Sequence, residues 1–201
     1  MVMNVGKQMT MALAKSALMA TLLAAATLSC AQAVELTGVH HMGSDFKINT
    51  FYVNNTYGGN VSREGGGGSI TCCVELPTKW RPGLTVTVRW GVSDWSQQNV
   101  DETKKGNYRS VLLEGIYRAH IPVEKYESAE HLYVHFFAGG KARAVSSQAG
   151  PGIYHPIAED DPRAAEQATL ATRVDELFTE SELAEMRKKR EAAQKRFGDW
   201  R

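Results

Sequence analysis

Six histidines are the side chains of this sequence best suited to metal binding or acid–base catalysis. His131 and His135 are four residues apart, a spacing that on a helix would suggest a zinc pair. The alternation of apolar residues around them predicts a β-strand instead, and on a strand they lie about 13 Å apart. A shared metal ion would therefore require imidazoles from separate strands, such as His40 or His41 together with His120.

Other patterns that could support catalysis are incomplete. Residues 63–69 include four consecutive glycines whose N–H groups could bind an anion, but the Gly-Lys-Ser ending of a phosphate-binding loop is missing. Asp101 and Glu102 are adjacent carboxylates in a polar segment, residues 96–107, which is typical of a solvated loop. No Gly-x-Ser-x-Gly motif is present. We predict no catalytic residue, no metal site and no cofactor, with a metal-dependent hydrolase built on the histidines as the minor alternative.

Aromatic and charged residues in predicted loops favour a binding surface. Trp80 and Trp95 stand at the ends of predicted strands beside Arg81 and Asp94, and exposed aromatics next to charges are typical of protein interfaces. The alternative for each tryptophan is packing against the core. The predicted partner-binding residues are Tyr57, Arg63, Glu64, Trp80 and Trp95.

The segments that would position these side chains alternate apolar and polar residues with a period of two, as strands with one buried face do. Seven such segments lie near residues 36–41, 48–53, 70–76, 84–90, 111–121, 132–136 and 142–146. They predict a mainly β fold, an antiparallel β-sandwich that is immunoglobulin-like in general shape. Pro82 and Gly83 predict a type II turn between two strands, Gly139 and Gly140 predict a turn between two others, and both pairs of strands are predicted to be hairpins. Residues 54–69 are predicted to be one long loop.

Two adjacent cysteines, Cys72 and Cys73, fall within one of these strands. Alternation along a strand points neighbouring side chains to opposite faces, which predicts two free thiols with Cys72 buried. The alternative is a disulfide between the two neighbours.

The first 33 residues have the pattern of a secretory signal peptide. Lys7 and Lys15 precede an uncharged alanine- and leucine-rich stretch, residues 16–28, which is too short to cross a bilayer comfortably. Two processing sites overlap: lipid modification of Cys30 after an imperfect lipobox, or plain cleavage after Ala33. Either predicts a periplasmic protein, and a lipid on Cys30 would anchor it to the outer membrane.

The overall charge excludes one class of partner. The chain has 23 basic and 22 acidic residues, a formal net charge of +1, and no basic stripe interleaved with aromatics. Binding to nucleic acid through phosphate contacts is therefore not expected.

After the predicted sandwich domain, residues 34–157, the last 44 residues form a charged tail, residues 158–201. Asp161 and Pro162 resemble the start of a helix, and Thr179 with Glu182 forms a capping-box pattern, so we predict two helices. The second carries a basic run, residues 187–190, and is either a loosely docked exposed helix or one that binds a partner or a membrane surface.

Several uncommon elements occur in order along the chain. They are Leu-Thr-Gly-Val-His-His-Met at 36–42, Phe-Tyr-Val-Asn at 51–54, the glycine run with Cys72, Cys73 and Val74, residues 76–84, and Val-Arg-Trp at 88–90. Over residues 35–147 the chain resembles the domain of unknown function 3304 family of small proteobacterial lipoproteins. Members are often encoded beside type VI secretion genes for lipase or phospholipase effectors. The resemblance implies an immunity protein.

The predicted function is therefore that of a non-enzymatic exported binding protein, an inhibitor of a cognate secreted phospholipase effector. Loops at the edge of a rigid sandwich would supply the contact surface. The alternative is an envelope structural or ligand-binding lipoprotein without a toxin partner.

Overall fold

Two packed five-stranded sheets form a β-sandwich, as predicted, in a computed structural model that describes residues 30–65, 69–107, 114–152, 154–158 and 161–197. The first sheet contains, in spatial order, β4 (Thr71–Pro77), β1 (Ala31–His40), β7 (Leu132–Phe137), β8 (Lys141–Ser146) and β9 (Thr169–Leu170). The second contains β10 (Thr172–Val174), β6 (Gly115–Pro122), β5 (Thr85–Asp94), β2 (Phe46–Val53) and β3 (Thr56–Val61). The helices are α1 (Gln97–Lys104) and α2 (Glu180–Phe197).

The core lies between the inner faces of the two sheets. Phe51 and Trp90 of the second sheet pack on Phe136 of the first, with ring centroids 5.3 and 5.4 Å apart, and all three side chains are fully buried. In β5 and β7 the inward positions are those that the alternation predicts. Neighbouring strands run antiparallel except β1 and β7, which are parallel.

Two structured segments fall where loops were predicted. β3 begins within the predicted loop 54–69, and α1 lies within the polar segment 96–107. Neither segment has a sequence pattern that predicts its structure. β3 contains two glycines and no apolar alternation, and α1 has no buried residue. β3 forms because β2 offers an edge to pair with.

The two predicted turns have different outcomes. Gly139 and Gly140 join β7 to β8 as an antiparallel hairpin, as predicted. Leu84 N–H donates to the Arg81 carbonyl over 3.2 Å, and Gly83 has a φ of +80°, which fits the predicted type II turn. That turn does not form a hairpin, because β4 and β5 belong to different sheets.

The prediction of a first tail helix is wrong. Residues 161–167 form turns, with Asp161 Oδ1 accepting from the Arg163 N–H over 2.9 Å, and the next residues form the edge strands β9 and β10. The pairing of these short strands with β8 and β6 overrides the local helix signal. The second helix and its capping box are confirmed, since the Thr179 N–H donates to Glu182 Oε2 over 2.9 Å.

The prediction of free thiols is also wrong, because Cys72 and Cys73 form a disulfide. Cys72 is exposed rather than buried. Val34 faces Val74 while Leu36 faces Thr71, so β4 has one extra residue in this stretch of its pairing with β1. Such a bulge shifts the alternation by one position and turns Cys72 outward.

The predicted leader, residues 1–29, lies outside the described residues, as do Gly66, Gly67 and Gly68 of the glycine run. In the described part of the chain, neither helix is both long enough and apolar enough to cross a membrane.

Candidate functional site

The outer face of the first sheet is covered by the chain that follows β8. Phe137 and Val145, which point outward from β7 and β8, pack against Ile157 and Ala164 of this later segment. Every residue of β7 is therefore buried, including His135, which is 0% exposed. Polar side chains in this layer must find their hydrogen-bond partners within the protein.

Three imidazoles form a hydrogen-bonded chain in this layer. His41 Nε2 lies 2.9 Å from His135 Nδ1, and His135 Nε2 lies 2.9 Å from His155 Nε2. The chain ends at the carbonyl oxygen of Ala149, 2.8 Å from His155 Nδ1. We call His41, His135 and His155 the histidine chain.

The carbonyl at the end of the chain determines where its protons lie. A carbonyl oxygen only accepts, so His155 Nδ1 donates to Ala149. In a neutral His155 the other nitrogen accepts, which makes His135 Nε2 a donor. By the same reasoning His135 Nδ1 accepts from His41 Nε2. Each link is thus satisfied when His135 and His155 are neutral.

The electrostatics favour the same neutral state. Burial lowers the pKa of His135 to about 2, and the neighbouring His155, His41 and Arg143 add to this effect. Burial also lowers the pKa of His155, against an opposing contribution from its bond to Ala149. These two imidazoles therefore hold segments of the chain together as neutral hydrogen-bonding groups.

Aromatic contacts fix the orientation of the rings. His41 stacks on Phe137 with centroids 4.7 Å apart and an interplanar angle of 12°. The edge of His155 meets Tyr133 at 4.7 Å, and Tyr133 stacks on His131 at 4.4 Å. His131 Nε2 also lies 2.7 Å from Thr37 Oγ1.

An open cleft of about 300 Å³ lies next to His41 at one end of the sandwich, which we call the histidine end. Its walls come from the loops after β1 and β3, and its lining residues are His40, His41, Gly43, Ser44, Arg63, Glu64 and Gly65. The Arg63 Nε–H donates to the Ser44 carbonyl over 2.6 Å, and His40 Nε2 donates to the Ser62 carbonyl over 2.6 Å. These bonds tie the two loops together, while Arg63 and Glu64 remain exposed at the rim.

The predicted binding residues fall into two groups. Arg63 and Glu64 line the cleft, and Trp95 lies at the same end, with its backbone N–H 2.5 Å from the Asp45 carbonyl. Tyr57 and Trp80 lie at the opposite end, which we call the cysteine end because Cys30 precedes β1 there. Tyr57 is half exposed, whereas Trp80 packs against the core and donates from Nε1 to the Val123 carbonyl over 2.8 Å.

The alternative metal site is not assembled. His40 ends β1 of the first sheet and His41 follows it, whereas His120 lies in the second sheet, 3.0 Å from Thr87 Oγ1. Within the described ranges no group of three or more histidine, cysteine or carboxylate side chains has an arrangement suited to a metal ion. Asp101 and Glu102 of α1 form ion pairs with Lys104 and with Lys105, the residue that follows the helix.

The sequence analysis missed His155 as a site residue. The sequence around this histidine, residues 149–156, contains glycine and proline and has no apolar periodicity. A signal was present at the start of β7, where Tyr133 and His135 fill consecutive outward positions and His131 immediately precedes the strand. Three ring side chains in a row at such positions fit a covered face better than a solvated one.

Comparison with known proteins gives one match. The sequence profile of the family described as "Protein of unknown function (DUF3304)" matches residues 42–144, which include β2 to β7, most of β8 and five of the seven residues that line the cleft. No curated protein and no solved structure is significantly similar to the chain.

Proposed function

Since the chain belongs to the family of proteins of unknown function DUF3304, we propose that it is a non-enzymatic, exported binding protein whose contact surface is the histidine end. The observation that carries this proposal is the cleft formed by two loops that are tied to each other and to the sandwich. Arg63 and Glu64 stand exposed at its rim. A charged rim on a preorganised loop pair suits recognition of a protein surface, because little ordering is needed on binding.

The bonding of the histidines supports a binding role over hydrolysis. His135 and His155 are held neutral by burial and use both ring nitrogens within the protein. His40 donates to the Ser62 carbonyl. These imidazoles stabilise the loops from beneath, as a rigid recognition surface requires.

The partner we propose is a type VI secretion lipase or phospholipase effector, with this protein as the immunity protein of the producing cell. This step rests on the family resemblance of residues 35–147. An inhibitor needs a surface of fixed shape and no reactive group, and the loops at the histidine end meet that requirement.

We further propose that the protein is held at the periplasmic face of the outer membrane by a lipid on Cys30. The pairing of β1 with β4 supports this site over cleavage after Ala33. Ala31 and Ala33 face Pro77 and Glu75, and the Cys30 carbonyl accepts from the Thr78 N–H over 2.9 Å. Cleavage after Ala33 would remove these contacts, whereas processing at Cys30 keeps all of them.

The mature mass distinguishes the two processing sites. We expect the membrane fraction of the native host to contain a chain that starts at a lipid-modified Cys30. A soluble periplasmic chain that starts at Val34 would contradict the anchor but leave the binding role intact.

Complex formation tests the binding role. The purified chain from residue 30, with Cys30→Ser to prevent lipidation, should coelute in size-exclusion chromatography with the lipase encoded by the neighbouring gene. The double variant Arg63→Ala/Glu64→Ala should lose the complex. The matched control Lys125→Ala/Glu127→Ala, which changes two exposed charges at the cysteine end, should retain it. If the folded protein with an unchanged histidine end does not bind the lipase, the proposal is wrong.

A further inference from the structure

Helix α2 has two halves with different surroundings. In the first half, Glu182 contacts Arg89 and Arg118 of the second sheet at 2.7 and 3.3 Å, and Leu183 and Met186 are partly buried. From residue 187 to residue 196 every side chain is exposed. The fold thus holds the start of the helix and leaves its second half in solvent.

The exposed half is strongly basic although the whole chain is nearly neutral. Residues 187–196 contain six basic side chains and one acidic one, a net charge of +5. In the described part of the chain, no ion pair within 4.0 Å neutralises Arg187, Lys188, Lys189 or Arg190. The charges of these four side chains have no structural use within the described fold.

The basic half points to the end of the sandwich where Cys30 lies. Glu182, Lys189 and Arg190 line one groove together with residues 54–56, the turn between β2 and β3 at the cysteine end. Lys189 and Arg190 therefore place the start of the basic half at this end of the sandwich.

The loop between β4 and β5 contacts Cys30 at its start and leads to a strand residue that contacts this turn. Residues 78–84 link β4 to β5: Thr78 donates to the Cys30 carbonyl at the start of the loop, and Thr87, just after it, donates to Asn54 Oδ1 over 2.8 Å. The cysteine end thus presents both the proposed lipid attachment site and the basic half of α2.

We propose that residues 187–196 bind the surface of a bilayer containing anionic phospholipid. The charge complementarity is that of polybasic segments, in which each lysine or arginine near an anionic surface adds affinity. This attraction decays with distance from the surface over about one Debye length. A lipid on Cys30 belongs to the proposed function; the helix adds a second attachment beside it. In this orientation the histidine end faces away from the bilayer and toward a soluble partner.

Vesicle flotation tests the helix apart from the lipid and apart from the effector. The probe is the chain from residue 30 with Cys30→Ser, mixed with phosphatidylcholine vesicles or with vesicles in which about one-third of the lipid is phosphatidylglycerol. We expect flotation only with the anionic vesicles. Raising the salt from about 0.05 to about 0.5 M should reduce it by about tenfold or more, since the Debye length shortens severalfold.

Matched charge variants locate the surface. Neutralising residues 187–190 (Arg187→Gln, Lys188→Gln, Lys189→Gln, Arg190→Gln) should abolish flotation. An equal loss of charge near the histidine end (Lys47→Gln, Lys104→Gln, Lys105→Gln, Lys141→Gln) should leave most of it. Circular dichroism verifies that both variants fold.

Three results would overturn the proposal: no flotation of the unmodified surface, equal flotation with both vesicle types, or flotation retained after neutralisation of residues 187–190. If the helix variant instead loses the complex with the lipase while vesicles never bind, the basic half is a protein-binding surface. The vesicle assay contains no lipase, so failure of the proposed function leaves its result unchanged.

Discussion

The outer faces of the two sheets are both covered by the chain after β8, but with different chemistry. On the first sheet, His135 is 0% exposed and is held in a neutral chain of hydrogen bonds. On the second sheet, Arg89 is 4% exposed and is paired with Glu182, which keeps 28% of its side chain exposed. Phe178 stacks beneath the same guanidinium, 4.7 Å away.

Because of this difference, the two faces should respond differently to salt concentration and to pH. A neutral hydrogen-bonded chain is insensitive to salt but breaks when an imidazole gains a proton. A partly exposed ion pair is weakened by salt and withstands mild acid. One face of the sandwich should therefore be sensitive to pH near neutrality, and the other should not.

The largest expected effect is the removal of the central imidazole. His135→Ala leaves His41 and His155 without their link in a buried layer, and each unsatisfied buried group costs about 1–3 kcal/mol. We expect the free energy of unfolding, measured in urea, to fall by about 3 kcal/mol. His120→Ala, at an exposed histidine with a single bond to Thr87, should change it by less than about 0.5 kcal/mol. Equal effects of the two substitutions would contradict a structural role for the histidine chain.

Removing the buried cation on the other face should cost less. Arg89→Met keeps an apolar stem but loses the bonds to Glu182 and Asn55. Because Glu182 is partly solvated and retains Arg118, we expect a loss of about 2 kcal/mol in unfolding free energy. Arg118→Met should cost less than about 1 kcal/mol, since that pair is more exposed and longer. A reversed order would show that Arg118 is the principal partner.

The pH dependence separates the two faces directly. The pKa of His135 is about 2 in the folded protein, so below pH 6.5 the unfolded chain binds a proton that the folded chain does not. Stability should thus be fully present above pH 6.5 and fall with decreasing pH by about 1.4 kcal/mol per unit from this group alone. His155 and His40, with pKa values lowered by burial, act in the same direction.

The ion pair contributes in another range. The Thr179 N–H and Arg89 hold the pKa of Glu182 below 4.5, so its contribution persists down to about pH 4.5 and is lost only in stronger acid. Urea unfolding between about pH 7.5 and 5.5 should show a shallower slope in His135→Ala than in the wild type. Arg89→Met should keep the wild-type slope. A wild-type stability that is flat over this interval would contradict the neutral assignment of the chain.

The smallest expected effect on stability is at the rim of the cleft. Arg63→Ala/Glu64→Ala changes two exposed side chains, and the unfolding free energy should stay within about 0.5 kcal/mol of the wild type. Affinity for the proposed effector should nonetheless fall by at least about tenfold. A large loss of stability would mean that these residues stabilise the fold. The loss of binding would then not identify them as partner contacts.

Period-two alternation was sufficient to predict the sandwich. It identifies Val86, Val88 and Trp90 as inward-facing, and the structure buries all three. It could not predict that His135 and Arg89, on the polar side of their strands, are buried too. Their cover comes from residues far along the chain, and side-chain alternation describes only the contacts of a single strand.

The candidate site was predicted in part. Arg63 and Glu64, chosen as charged residues of a predicted loop, do line the cleft, and their role in binding stays a prediction. His155 and β9 were missed because their structure depends on pairing partners at long sequence separation. The bulge at Cys72 was missed for a related reason, since it shifts the alternation on which the prediction relied.

The most direct test of the proposed function is the activity of the proposed lipase effector on phospholipid in the presence of this protein. The chain from residue 30 with Cys30→Ser should reduce that activity to background at an equimolar ratio, and Arg63→Ala/Glu64→Ala should restore it. Undiminished lipase activity in the presence of an excess of the folded protein would contradict the account.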